Sequence, residues 1–185
     1  MSLADWISGG GGAEAGPPER FYGKYRGRVV SNTDPDKIGR LLVEVPDVQA
    51  LFPSSWAMPC VPFAGNQTGA YVVPPVGAGV WVEFEQGDPE YPIWVGGFWG
   101  GTSEVPNLAQ GATPPQQNVV IETQGGTTFM LSDTSGPTGG ILLKLSSGAS
   151  IAINDNGITL STGQGAKISL TGSSVNINNG ALQVQ

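Results

Sequence analysis

The chain has 185 residues, of which 29 are glycine, 15 are proline and only 12% are charged, and its net charge is −7. That length allows one ordinary domain or two small ones. The composition fits neither a helical protein nor a solvated disordered chain, and the acidity leaves little electrostatic reason to seek nucleic acid or anionic membranes. There is no histidine, which removes the commonest general base, the serine triad and the commonest zinc ligand. The single cysteine, Cys60, rules out a disulfide within the chain and is expected to be a small buried hydrophobe in a strand. No basic segment followed by an apolar run marks the start, and no apolar run reaches about 18 residues. The chain is therefore expected to be synthesised in the cytoplasm without a signal peptide and to span no membrane.

Residues 1–20 contain Gly9 to Gly12 and Pro17-Pro18 and read as a flexible arm, with Leu3, Trp6 and Ile7 as its apolar points. Residues 21–100 carry short strand-like runs separated by turn signals. The first runs from Phe21 to Val30 and ends in the turn Asn32 to Asp36. Leu41 to Val45 is the second, closed by Pro46. Trp56 to Phe63 is a third, confined by Pro59 and Pro62 to an edge or a bulge. Val80 to Glu85 alternates, with Val80, Val82 and Phe84 on one face and Trp81, Glu83 and Glu85 on the other. Gln86 to Pro89 turns the chain, and Ile93 to Trp99 is the last run. Five or so short strands without helical periodicity predict a small closed barrel.

Composition then changes. Of the 15 aromatic residues only Phe129 lies beyond residue 100. Residues 101–117, with Pro106, Pro114 and Pro115, read as a linker. From 118 to 185 apolar residues come as i, i+2 pairs: Val119/Ile121, Phe129/Leu131, Ile141/Leu143, Ile151/Ile153, Ile158/Leu160, Ile168/Leu170, Val175/Ile177 and Leu182/Val184. They recur every 7 to 12 residues with Gly, Ser, Thr, Asn and Asp between, an internal repeat of strands and tight turns. Nothing that follows can cover the apolar face of these strands, and their edges also need partners. Three identical chains threaded round one axis answer both needs: the apolar faces meet on the axis and each strand pairs with the next chain. A single-chain β-solenoid of about three coils answers them equally well on pattern alone.

The run from Val73 to Phe98 resembles the OB-fold domain shared by the baseplate assembly protein V family of phage spikes and the VgrG proteins of type VI secretion. The shared pattern falls on Pro74, Gly77, Val80, Val82, Phe84, Gly87, Asp88, Pro92 and Gly96. Gly23 to Val29, Ile38 to Val45, Ala57 to Cys60 and Gly69 to Tyr71 extend the likeness upstream. The resemblance implies an all-β homotrimer: an OB-fold barrel at 21–100, then a C-terminal intertwined triple-stranded β-helix at 118–185. It implies a structural central spike of a contractile phage-tail-like injection system, seated on a hub and driven through a target envelope when the sheath contracts. Ile151, Ile153, Ile158, Leu160, Ile168, Leu170, Val175 and Ile177 would pack on the trimer axis. Only about 20 residues precede the barrel, so the hub is expected to be a separate chain. The sequence closes on Leu182, Val184 and Gln185, which would meet a separate PAAR-type tip protein. Contact with the target membrane would be transient. No enzyme activity, catalytic residue, cofactor or metal ligand is expected.

Two rival readings have residues of their own. An OB-fold can bind oligonucleotides through aromatic platforms, here Tyr22, Tyr25, Trp81, Trp94 and Trp99. Acidic residues within 1–100 outnumber basic ones by 11 to 6, however, which argues against that use. A trimeric polysaccharide-processing tail protein would need paired carboxylates. Beyond residue 100 there are only Glu104, Glu122, Asp133 and Asp155, all scattered, while Asp88 reads as a turn residue. Asn154, Asn156, Asn176 and Asn178 are turn residues before they are ion ligands, and Lys144 and Lys167 belong on the needle exterior.

Overall fold

A computed structural model describes residues 19–48 and 53–184. The chain divides into two compact units, Met1–Phe98 and Trp99–Gln185. Among the described residues every regular element is a β-strand or a short 3-10 turn. The arm expected at 1–20 lies outside the described residues except for Glu19 and Arg20.

The first unit holds β1 (Tyr25–Ser31), β2 (Leu42–Glu44), β3 (Met58–Pro59), β4 (Ala64–Gly65), β5 (Thr68–Gly69), β6 (Gly79–Phe84) and β7 (Pro92–Phe98). Five of these form one sheet in the order β2-β1-β6-β7-β3. Its neighbours are antiparallel except β3, which runs parallel to β7. Leu41 and Ala57 exchange both backbone hydrogen bonds, at 3.1 and 2.8 Å, and so join the two edges into a closed barrel. The alternation read in β6 places Val80, Val82 and Phe84 in the core, beside Val29, Leu41, Val43, Val45, Ala57 and Trp94. The Trp94 indole N–H is not stranded there: it donates to the Gly39 carbonyl at 3.0 Å.

Two runs are shorter than their sequence suggests. The first strand begins at Tyr25, not Phe21. Phe21 instead donates its N–H to the Gly87 carbonyl, and its ring packs 6.1 Å from Tyr25 and 6.2 Å from Phe84. The run from Trp56 to Phe63 shrinks to the two residues of β3 at the sheet edge. Pro59 and Pro62 offer no N–H to a ladder, so the chain leaves the sheet. Cys60, expected to be buried, is exposed beside this edge.

The β1–β2 connection is held by one carboxylate. Asp34, whose side chain is 3% exposed, accepts the backbone N–H groups of Asp36, Ile38 and Arg40. It also takes Nε and Nη2 of Arg40 at 3.0 and 2.7 Å. The bonded Arg40 guanidinium holds the Asp34 carboxyl well below the usual carboxylate range, helped by the three backbone donors and opposed by burial. Arg40 in turn lies 5.5 Å over the Trp56 ring.

The second unit is a meander of eight strands: β8 (Asn118–Glu122), β9 (Thr128–Ser132), β10 (Gly140–Lys144), β11 (Ser150–Asn154), β12 (Gly157–Ser161), β13 (Lys167–Thr171), β14 (Ser174–Ile177) and β15 (Leu182–Val184). Each pairs antiparallel with its sequence neighbours, in unbroken order from β8 to β15. A solenoid would stack parallel coils, so that alternative is excluded. The expectation that each strand pairs with the next chain is also corrected, since the ladders close within the chain. Turns of two residues at 155–156 and 172–173 and of five at 123–127, 145–149 and 162–166 make neighbour pairing cheap in loop entropy. Residues 101–117 carry 3-10 turns at Thr102–Glu104 and Asn107–Gly111, the latter packed on β8. The Asn118 side-chain amide donates to the Leu108 carbonyl at 2.8 Å, fixing that contact.

Two glycines set how closely neighbouring strands approach. A Cβ on Gly157 (φ +126°) would lie 1.9 Å from the Leu170 carbonyl oxygen, and one on Gly140 (φ +79°) 2.0 Å from that of Ile153. Gly157→Ala is therefore expected to destabilise the C-terminal unit by about 2 kcal/mol or more, combining strain with a broken ladder. A thermal melt followed by circular dichroism would show it. An unchanged midpoint would mean that the strands separate without cost.

Candidate functional site: an in-register apolar sheet face

The register of the meander turns the i, i+2 pairs into two continuous rows. Ile121, Phe129, Leu143, Ile151, Leu160, Ile168, Ile177 and Leu182 stand opposite one another across successive strands. Val119, Leu131, Ile141, Ile153, Ile158, Leu170, Val175 and Val184 make the second row. Side chains alternate along a strand, so both rows lie on the same face. β-branched residues dominate them, which suits close cross-strand contact.

This face is uncovered. Ile151, Ile153, Ile158, Leu160, Ile168, Leu170 and Val175 are each 37–41% exposed, and Leu182 is 55% exposed. Ile177 is half-buried. Of the residues expected at the tip, Leu182 and Val184 both fall in β15, the last strand of the sheet, and Gln185 lies outside the described residues. The first of the two rows lines a trough of about 800 Å³. Covering the remaining two-fifths of each side chain is worth about 0.6–1.2 kcal/mol. Over the row residues still exposed, that is about 8–16 kcal/mol per chain, as much as the net stability of an ordinary domain. An apolar surface of this extent is not left open to water in a stable protein.

The opposite face differs. Its central row runs Val120, Met130, Leu142, Ala152, Thr159, Ser169 and Asn176, passing from apolar to polar along the chain. Met130 is buried. Lys144 and Lys167 lie on this opposite face, as their alternation with Leu143 and Ile168 requires.

The residues of the rival readings have structural tasks. Trp94 is in the barrel core. Tyr25 packs on Phe21 and Phe84, and Trp81 packs on Phe98 with Arg26 5.7 Å over it. Tyr22 and Trp99 remain exposed. Glu104 accepts the Gly100 N–H, Glu122 the Thr128 hydroxyl and Asp155 the Gly136 N–H. Asp88 accepts from Arg20 and from the Glu90 N–H, as a turn residue does. Among the described residues no group of three or more His, Cys, Asp or Glu is placed to hold a metal, and no helix is long and apolar enough to cross a membrane.

A 17-residue period underlies the meander and escaped the spacing of apolar pairs. Gly140 and Gly157 open equivalent strands, and Gly148-Ala149 and Gly165-Ala166 close equivalent five-residue turns. Those turns share one bond: the first N–H donates to the fifth carbonyl, at 2.9 Å in Leu145–Ala149 and 3.0 Å in Thr162–Ala166. The period is two five-residue strands with one long and one short turn. The recurring glycines carry the signal, whereas apolar pairs alone see half a repeat.

Comparison with known proteins gives two matches in chain order. Residues 25–99 match the family model of the Type VI secretion system/phage-baseplate injector OB domain. Residues 118–183 match that of the phage baseplate V C-terminal trimerisation domain. No curated protein matches the chain. The second match spans both apolar rows.

The two faces of one strand give a direct contrast. Ile158→Asp sets a carboxylate in the middle of the apolar face, and desolvating it costs several kcal/mol. The thermal midpoint of the C-terminal unit is expected to fall by tens of degrees. Thr159→Asp, on the opposite face, should shift stability by no more than about 0.5 kcal/mol. Equal effects of the two changes would contradict the assignment of faces.

Proposed function

Since this chain belongs to the phage baseplate V family of injector spike proteins, we propose that it is the central spike of a contractile injection machine, seated on a separate hub and driven through the target envelope. It is a homotrimeric structural component of a phage baseplate or related injection complex. The observation that carries the finer reading is the pairing, on one chain, of a barrel that closes its own core with an apolar sheet face that does not.

In this reading the eight predicted axis residues, Ile151 to Ile177, meet their counterparts from two other chains. Strand ladders complete within each chain then surround a dry axis. Bending such a needle would separate packed apolar faces and stretch ladder hydrogen bonds together, which gives it stiffness without catalysis. The barrels form the seat, and the needle acts mechanically, touching the target membrane only in passage. Domain limits of 21–100 for the barrel, 101–117 for the connection and 118–185 for the needle go with this assignment. Leu182, Val184 and Gln185 meet a separate tip protein. The open face of Leu182 on the outermost strand supports that contact. The scattered carboxylates, already bonded to turns, and the buried aromatics favour this use over polysaccharide cleavage or oligonucleotide binding.

Immunogold labelling of purified particles tests the placement. Antibody to the barrel is expected at the baseplate end before contraction and at the leading end of the tube afterwards. Particles carrying a chain deleted for residues 182–185 should keep that label and lose the tip protein. Label that stays with the sheath, or full envelope penetration by particles lacking the chain, would overturn the proposal.

A further inference from the structure

The barrel carries an exposed surface that its own core does not use. Residues 48–82 contain no Asp, Glu, Lys or Arg, in a chain that is 12% charged overall and has a net charge of −7. At that average, about four charges would be expected there. Much of the stretch is solvent-exposed. Phe63 is 60% exposed, Tyr71 68%, Val72 73% and Val76 59%. The hairpin of β4 and β5 projects with all four strand residues exposed, and the Ala70 N–H to Phe63 carbonyl bond, at 3.2 Å, closes its base. Beside it is a groove of about 510 Å³ whose walls include Ile38, Met58, Phe63, Gln67 and Tyr71. A projecting neutral hairpin thus stands next to a neutral apolar groove on the same barrel.

Loss of charge with exposed aromatics is the compositional mark of an interface core. The occupant follows from the trimer. Each barrel is joined through the Phe98-Trp99 peptide to a unit that trimerises, so two other copies of the same barrel are always tethered nearby. Tethers of this kind set effective concentrations in the millimolar range, at which a small apolar contact is occupied. Like-charged barrels repel wherever acidic surfaces face, and residues 48–82 supply the one long stretch of chain where that repulsion is absent. We infer that the β4–β5 hairpin of each barrel seats in the Ile38–Met58–Tyr71 groove of the next copy, so that three hairpin-to-groove contacts close a ring. A heterologous contact of this type closes when its rotation is threefold, as a trimer requires. The inference rests on the trimer and not on the envelope-piercing role.

The test uses the full-length trimer with a benzophenone amino acid in place of Phe63, or in a second variant in place of Tyr71. Both positions are exposed, so the substituted chain keeps its barrel core. Irradiation is expected to produce covalent dimers and trimers on denaturing gels. Trimers assembled from isotopically labelled and unlabelled chains should place the attachment points within residues 38–76 of another copy. Photoproducts confined to one chain would overturn the inference, as would attachment to a different protein in assembled particles. Light scattering on the same samples reports the trimer separately, so a trimeric mass without cross-links would refute the ring and leave trimerisation standing.

Discussion

Sixteen apolar side chains, aligned in two rows across eight strands, constrain everything else in this protein. A β-sheet with one uncovered face is a stable object only when something lies on that face. Here the cover cannot come from the same sheet, because the meander has spent its hydrogen bonds along the chain and runs in unbroken order from β8 to β15. Nor is it a ligand-sized problem, since the face stays open from Val119 to Leu182. Three copies turning the same face to one axis dispose of it with no new chemistry. The match of residues 118–183 to a trimerisation domain describes the same solution.

The two units therefore hold their cores differently. The barrel is self-sufficient: Leu41, Val43, Val80 and Val82 are fully enclosed, and Asp34 fixes a loop by collecting five donors from its own neighbourhood. The C-terminal unit has Met130 and Thr128 as its only buried side chains among the described residues, both on the face away from the rows. Its stability is coupled to association, as for obligate oligomers whose separated chains do not stay folded. A spike that must be rigid in use benefits from this coupling, because no partly assembled form is favoured.

Much of this was legible in the sequence, and for identifiable reasons. The i, i+2 pairs are visible because side chains alternate with a period of two, and the barrel strand from Val80 to Phe84 shows the same alternation. What stayed hidden depends on pairing partners, which composition does not encode. The ladders close within the chain because two- and five-residue turns favour neighbours. The 17-residue period was masked by the longer connection at 133–139, which interrupts it once before Gly140. Phe21 looked like strand because it is apolar, yet its ring serves the cluster with Tyr25 and Phe84 from outside the sheet. The absence of charge from 48 to 82 was readable all along, but it acquired meaning only once Phe63 and Tyr71 proved exposed.

The central claim is that the apolar rows are stable only when covered by two further copies, and molar mass in solution tests it most directly. Light scattering on the purified full-length chain is predicted to give 57.3 kDa, three chains of 19.1 kDa, with no decline on dilution. A monodisperse, cooperatively folded species of 19.1 kDa would contradict the account, because the rows would then be at ease in water.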